Sequence, residues 1–231
     1  MIKFEHTEVV GWVPAIRGMR NPMNSWDQSD SYYDLWEDPS PINPNDEIRL
    51  VVGEKDLALM KKLRDAGTDH RKFMRMIVVY VDITAPLYWW KEFDTYKVGT
   101  VVNSCSTMHK IHAKEFTMDD FSGEHLGDDW ADEDSLVDYD REYDNTPKDV
   151  LSWVVYALNI YRNLFLKTKD KKWWWQMIQL LPTSYNQKRT VMLNYEVLAN
   201  IYKARKNHKL DEWHDMCSWI ENLPYSELIT G

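Results

Sequence analysis

Glycine, cysteine and long apolar runs are all scarce in this sequence. Only 8 of its 231 residues are glycine, and they form neither a phosphate-binding loop nor a dinucleotide fingerprint. The two cysteines, Cys105 and Cys217, are too few for a disulfide framework, so we expect a reduced, cytoplasmic setting. No apolar run approaches the about 20 residues that a membrane span needs. Glu5, His6 and Glu8 also stand where an export signal would be apolar, so neither membrane insertion nor export is expected.

The acidic residues are concentrated in one segment. Residues 115–149 carry 14 Asp and Glu, opposed only by Arg141 and Lys148, while the whole chain has a net charge of −9. This charge argues against a protein that coats nucleic acid or an anionic membrane. The mildly basic remainder suits a small anionic ligand such as a nucleotide. We expect the segment to be a solvated insertion; a calcium loop is the alternative, but the spaced ligands and central glycine are missing.

The apolar pattern predicts a few early strands and then mostly helices, in one α/β domain over residues 1–231. Strands are expected over Met1–Val10 and Met74–Thr84, with a long loop from Asn21 to Pro44 between them. Helices are expected where an apolar stripe, a helix cap or a helix breaker marks the sequence. They are Pro14–Met19, Glu54–Ala66, Pro86–Tyr96, a stretch opening at Thr146-Pro147, Asp170–Leu181, Asn194–Lys206 and Leu210–Asn222.

Two stretches have residue types suited to a planar or anionic ligand. After the break at Gly99, small polar residues from Thr100 to Ser106 form a predicted loop with free hydroxyl and N–H groups. Further on, Asn194 and Arg205 fall on one helical face, with Asn200 off that face, so an amide and a guanidinium could read a pyrimidine and hold a phosphate. The alternatives are an ordinary polar turn and a solvated helix end.

Two further sets of residues are weaker candidates. Cys105, His109 and His112 would share a face if that stretch is helical, but no fourth ligand closes the set, so we predict no metal site. Arg17 and Arg20 lie three residues apart before a polar loop and could hold a phosphate; a solvated face is the alternative.

Two regions together resemble the flavin-dependent thymidylate synthases, the thymidylate-synthase-complementing family. The resemblance covers about Phe73–Lys110 and Leu180–Trp213. The spacing between motif positions agrees well with the family, but few of the residues at those positions are identical. The first family motif, Ala-Pro followed by Gln-x-x-Arg-His-Arg and Ser-x-Asn-x-x-Ser-x-Arg, aligns with Ala85-Pro86, Glu92, Thr95-Tyr96-Lys97, Thr100, Val102, Cys105 and Thr107. The second motif aligns with Leu181-Pro182, Asn194, Glu196, Asn200, Arg205 and, displaced by about one residue, Glu212-Trp213.

The resemblance implies a mixed sheet packed by helices, to which this chain adds its acidic insertion, and a homotetramer with sites spanning subunits. It also implies FAD, methylene-tetrahydrofolate and a pyrimidine deoxynucleotide, with one-carbon transfer to C5 as in nucleotide biosynthesis. The residues it brings into the site are Arg205, Cys105 and Ser106 for catalysis, Tyr96, Lys97, Asn103, Asn194 and Asn200 for the cofactor, and Glu92, Thr100 and Ser104 for the nucleotide.

The signature departs from the family where it should bind anions. Thr95 and Tyr96 replace Arg and His, and Thr107 and Glu196 replace arginines, while Lys97 keeps a charge without the planar fork. We therefore predict that Arg17 or Arg20 reaches the Arg205 cleft and supplies the lost charge, so that Arg20→Ala weakens nucleotide binding without unfolding the protein. A non-catalytic nucleotide-binding or assembly protein is the alternative function, and a metal-dependent hydrolase using His109 and His112 is a more distant one.

Overall fold

The computed structural model describes residues 2–35, 48–127 and 146–231. Most of the acidic segment and the proline-rich part of the predicted loop at residues 36–47 lie outside them. Six strands are described: β1 (Lys3–Val10), β2 (Tyr32–Leu35), β3 (Ile48–Val51), β4 (Val78–Pro86), β5 (Val101–Ser104) and β6 (Asn186–Asn194). The α-helices are α1 (Trp12–Arg20), α2 (Glu54–Asp65), α3 (Leu87–Phe93), α4 (Pro147–Thr168), α5 (Lys171–Leu180), α6 (Tyr195–Arg205), α7 (Asp211–Glu221) and α8 (Glu227–Thr230).

The strands form two sheets, and the fold is of the α/β class as predicted. One sheet has the order β1-β4-β6-β5, and β1 pairs antiparallel with β4. The pairing shifts between Glu5 and Glu8, where His6 adopts a left-handed φ of 53°, so β1 carries a bulge. The second sheet is the hairpin β2-β3, in which Tyr33 pairs with Leu50. Its first strand, β2, lies in the stretch from Asn21 to Pro44 that was predicted to be a loop.

The contacts divide the chain into two compact units. The first contains Ala85–Lys91 and Ser104–Gln187, and the second contains Ile2–Thr84, Glu92–Asn103 and Lys188–Gly231. Within the first unit, α4 packs against α5 around a core of apolar side chains. The members of this core are Ile111, Phe116, Phe121, Leu151, Val155, Leu158 and Met177.

The second unit is built on the sheet and on α1, α2, α6, α7 and α8. Its fully buried side chains include Met60, Ile83, Leu193, Tyr195 and Trp213. Each large apolar side chain withdrawn from water contributes about 1.5–3 kcal/mol, so these residues hold the sheet and the helices together. No helix within residues 2–35, 48–127 and 146–231 combines the length and hydropathy needed to span a bilayer.

Helix boundaries follow the sequence signals closely. α4 begins after Thr146, whose hydroxyl accepts the Asp149 N–H while the Asp149 carboxylate accepts the Thr146 N–H, which is a capping box. α6 begins after Asn194, whose Oδ1 accepts the Val197 N–H at 3.1 Å. Each cap satisfies a backbone donor that would otherwise be unpaired at the helix start.

Other segments also differ from the predicted elements. Arg71–Arg75 is a 3₁₀ helix, so β4 starts later than expected, at Val78. β4 also runs through Pro86, which was predicted to open the next helix. Residues Val101–Ser104, predicted to be part of a loop, form β5 at the end of the four-stranded sheet.

Candidate functional site

The Glu92 carboxylate accepts hydrogen bonds from side chains in the C-terminal part of the chain. Arg205 Nη1 donates to Glu92 Oε2 at 2.7 Å, and Trp213 Nε1 donates to the same oxygen at 3.0 Å. His208 Nε2 lies 3.3 Å from that oxygen. Tyr96 joins the group because its hydroxyl accepts a hydrogen bond from Arg205 Nε at 2.9 Å. We call these five residues the Glu92 cluster.

The elements of the second unit explain why these side chains meet. Glu92 lies in the last turn of α3, and Arg205 is the last residue of α6. His208 follows in the turn to α7, and Trp213 lies in the first turns of that helix. The indole of Trp213 is fully buried and forms a wall for the guanidinium, whose carbon lies 4.6 Å from the ring centre. The motif residue Glu92 and the much later Arg205 therefore form one site.

The guanidinium of Arg205 is held in place but keeps N–H donors for a ligand. Its two hydrogen bonds, to Glu92 and Tyr96, occupy two of the five N–H donors that a guanidinium carries. Its side chain is 18 % exposed to solvent, so a ligand can reach it. An oriented cation with unused N–H groups suits a carbonyl or phosphate oxygen of a ligand.

The segment that follows Tyr96 lies against the start of α6. Gly99 has a φ of 78°, and a Cβ there would lie 2.9 Å from Asn194 Nδ2, so this position requires glycine. The Oδ1 of Asn194 caps the helix, which leaves its amide NH₂ beside Gly99. The hydroxyl of Thr100 is buried and has no hydrogen-bond partner among the described residues. A buried hydroxyl without a partner is costly, so Thr100 is a candidate ligand contact.

The residues at the family's flavin position do not form a cation cluster. Thr95 donates its hydroxyl hydrogen to the Glu92 carbonyl at 2.7 Å, Tyr96 accepts from Arg205, and only Lys97 brings an exposed charge. A further guanidinium, that of Arg189 on β6, is paired with Asp94 at 2.8 Å. Both nearby guanidiniums are thus compensated by carboxylates. These residues do not fit a flavin held by an Arg-His-Arg cluster.

The remaining residues that the resemblance brought into the site are on exposed surface. Asn103 and Ser104 lie on β5 and are exposed, and Asn200 is exposed on α6. The prediction of a polar loop from Thr100 to Ser106 is wrong for Val101–Ser104, because those residues pair into the sheet. Their backbone N–H groups are therefore partly used by strand pairing and are not all free for an anion.

The stretch from Cys105 to His112 is a series of turns and not a helix. The shared helical face assumed for Cys105, His109 and His112 is therefore wrong. Ser106 Oγ accepts the His109 N–H at 2.8 Å, and the His112 ring packs on Phe165 with ring centres 4.9 Å apart. Burial lowers the pKa of His112, and nearby positive charges add to this effect. Among the described residues, no group of three His, Cys, Asp or Glu is placed to hold a metal ion.

Arg17 and Arg20 have different environments although they share α1. Arg20 is 4 % exposed, and its Nε donates to the buried Asp56 carboxylate at 2.6 Å. Its Nη1 also donates to the Ser25 carbonyl at 3.1 Å. Because Arg20→Ala would leave Asp56 buried without its counter-charge, we expect the substitution to destabilise the fold as well, and its effect on nucleotide binding stays a prediction. Arg17 is exposed, and its proximity to Arg205 stays a prediction.

The fold is that of the flavin-dependent thymidylate synthases. The chain superimposes on the Helicobacter pylori flavin-dependent thymidylate synthase ThyX complexed with FAD and dUMP, with a TM-score of 0.63 and 16 % identity over 99 % of this chain and 97 % of that one. A second H. pylori ThyX structure with FAD and dUMP gives a TM-score of 0.63 and 15 % identity over 99 % and 95 % of the two chains. These matches confirm the fold that the sequence resemblance implied.

A third solved structure of the same fold is a UMP/dUMP methylase, PolB from Streptomyces cacaoi, bound with 5-Br dUMP. It matches with a TM-score of 0.57 and 12 % identity over 100 % of this chain and 95 % of that one. No model of a known protein family matches the sequence, and no curated protein matches it either. At these identities the likeness establishes the fold alone.

Proposed function

We propose that this protein binds a pyrimidine deoxynucleotide at the Glu92 cluster and activates C5 of the base for one-carbon transfer. The observation that carries the proposal is the Arg205 guanidinium, which Glu92 and Tyr96 fix in place while three of its N–H donors keep no partner among the described residues. The solved structures of the same fold support the choice of ligand, since two hold dUMP and one holds 5-Br dUMP.

The chemistry assigned to this site needs a donor directed at a ring carbonyl. When C5 of a pyrimidine attacks a one-carbon unit carried as an iminium, the π pair of the C=N bond moves to nitrogen and the ring loses electron density. The C5–H electron pair returns to the ring as the C5 proton is lost, and negative charge then develops on the adjacent carbonyl oxygen. A guanidinium held in position before the reaction stabilises that charge without reorganising. Glu92 keeps Arg205 in one orientation, and the Trp213 indole excludes water from one side of it. The released C5 proton enters water.

FAD and methylene-tetrahydrofolate are the co-reactants that the fold's relatives and the sequence resemblance suggest. Residues 95–97 keep the Lys97 cation but lack the arginine and histidine of the family's Arg-His-Arg cluster, so they do not fit a flavin held by that cluster. The visible absorbance spectrum of the purified protein measures directly whether a flavin is bound by other residues.

A second function is favoured by the same loss of charge. Both arginines near the motif, Arg205 and Arg189, are neutralised by carboxylates, which weakens any site for a polyanionic cofactor. A protein that binds the nucleotide without transforming it would tolerate this change. The two functions differ in one observable, namely the exchange of the C5 hydrogen.

The test is the release of tritium from [5-³H]dUMP into water. Wild-type protein is incubated with methylene-tetrahydrofolate, FAD and a reductant, and Arg205→Lys and the exposed Lys72→Gln serve as variant and control. We expect release by wild type and by Lys72→Gln, and at least a tenfold loss with Arg205→Lys, since lysine lacks the planar fork. Nucleotide binding without tritium release would establish the non-catalytic function. Neither binding nor release would contradict both.

A further inference from the structure

A pocket of about 220 Å³ opens between α1 and the hairpin β2-β3 in the second unit. Its α1 wall is one helical face, because its residues follow the i, i+3, i+4, i+7 spacing. The hairpin wall includes Tyr33 and Leu50, which face each other across the two strands. The lining consists of Val13, Ile16, Arg17, Arg20, Trp26, Ser29, Ser31, Tyr33 and Leu50.

The aromatic side chains of this pocket are exposed and oriented. Trp26 is 50 % exposed, and its Nε1 donates to Asn21 Oδ1 at 2.8 Å, which fixes the plane of the indole. Tyr33 is 66 % exposed on the hairpin. With Ile16 and Leu50 they give the pocket flat apolar surfaces that a planar ring can cover. Large aromatic side chains that are exposed at the mouth of a cavity indicate a binding surface, because a core residue would be buried.

The polar groups at the base of the pocket are already paired. Arg20 donates to Asp56, and the Ser29 and Ser31 hydroxyls both donate to Asp56 Oδ2 at 2.6 Å. This network is neutral overall and has little capacity for a charged ligand. Arg17 differs, because within the described residues the structure gives it neither a hydrogen bond nor a carboxylate partner. Its guanidinium is the one charge on the lining that a ligand can neutralise.

We propose that this pocket binds a small planar aromatic carboxylate, with its ring between Trp26 and Tyr33 and its carboxylate on the Arg17 guanidinium. The volume holds a ligand of one or two rings and excludes a dinucleotide. A carboxylate matches the two parallel N–H groups of a single guanidinium, which supplies orientation as well as charge. The site is separate in its residues from the Glu92 cluster and does not depend on the proposed function.

Two probes of equal shape test the charge. Indole-3-acetate and its neutral counterpart indole-3-acetamide are titrated against the full chain by isothermal titration calorimetry and by saturation-transfer NMR. We expect the acid to bind about tenfold more tightly than the amide in wild type, which is the size of one charge-assisted contact. Equal affinity of the two probes, or no saturation transfer to either, would overturn the proposal.

Three variants test the position. Arg17→Gln should reduce the affinity for the acid to that for the amide, and Tyr33→Ala should abolish saturation transfer to the indole protons of both probes. Both side chains are exposed, so the fold should survive, and circular dichroism checks this. Lys72→Gln removes an exposed charge that is not on the lining and should leave both affinities unchanged. Full affinity for the acid in Arg17→Gln would place its binding elsewhere and refute the assignment.

Discussion

The Asp56 carboxylate shows how a polar network stabilises this fold. It has no exposed surface, and it accepts hydrogen bonds from Arg20, Ser29 and Ser31. Burial alone would raise the pKa of Asp56, but the two serine hydroxyls and the arginine outweigh burial and hold the pKa below its usual value. Asp56 is therefore ionised in the folded protein, and its partners depend on that charge.

Removing this charge should destabilise the protein. Asp56→Asn leaves Arg20 buried without a counter-ion, and we expect the free energy of unfolding to fall by about 3 kcal/mol in urea denaturation at pH 7. The exposed Asp27→Asn should have no measurable effect. Because the folded pKa is lowered, the advantage of wild type is complete above about pH 4 and shrinks as the pH falls through that lower pKa. A difference that stays constant down to pH 2 would contradict the assignment.

The central residues of the candidate site could be predicted from sequence, but some of their partners could not. Glu92, Tyr96 and Arg205 were identified through motif spacing, and the structure brings all three together. His208 was missed, although it follows Arg205 by three residues and so stays near the end of the same helix. Arg189 was missed because its pairing with Asp94 joins β6 to the end of α3, and no local pattern in the sequence reports that contact.

Among the elements, the turn from β1 to α1 is restricted by one glycine. Gly11 has a φ of 93°, and a Cβ there would lie only 2.0 Å from the Met76 carbonyl oxygen. Gly67 has a similar φ of 100°, but a Cβ there would meet nothing within 4 Å. Substitution of Gly67 would therefore cause backbone strain alone, whereas substitution of Gly11 would cause both backbone strain and a steric clash.

Alanine at these two positions should have unequal effects. Gly67→Ala should cost about 1 kcal/mol, from the left-handed backbone alone. Gly11→Ala adds a clash with main chain that cannot rotate away, so we expect a loss at least about 2 kcal/mol larger. Thermal and urea unfolding of the two variants measure the difference. Equal losses would show that the turn can move away from Met76.

Helices were predicted better than strands, for a physical reason. The stripes of α4, α6 and α7 repeat over three or more turns, and the start of α4 and both bounds of α6 and α7 were predicted within one residue. β6 was missed because its buried positions include Gln187, whose amide donates to the Cys105 carbonyl at 2.6 Å. A polar side chain that is buried and hydrogen-bonded interrupts the alternation of apolar and polar residues that indicates a strand.

At the scale of the whole molecule, α4 is apolar on two opposite faces. Leu151, Val155 and Leu158 lie in the core of the first unit. The other face presents an exposed stripe at three- to four-residue spacing, made of Val150, Trp153, Tyr156 and Ile160. A helix that leaves such a stripe in water is typical of a surface that another subunit covers.

We therefore predict a homo-oligomer that depends on this stripe. Trp153→Glu places a charge in the middle of the apolar face and should shift the mass measured by light scattering at micromolar concentration toward the 27.6 kDa of one chain. Lys167→Glu, exposed near the end of the same helix, should keep the wild-type mass. A wild-type protein that already has the mass of one chain would refute the prediction.

The most direct test of the account is a calorimetric titration of the full chain with dUMP, with dAMP as the purine control. If the Glu92 cluster is a pyrimidine nucleotide site, wild type binds dUMP with a stoichiometry of one per chain and binds dAMP at least tenfold more weakly. Arg205→Lys should weaken dUMP binding at least tenfold, because it removes the planar donor fork. Lys72→Gln should bind as wild type does. No heat with dUMP, or an unchanged affinity in Arg205→Lys, would contradict the central claim.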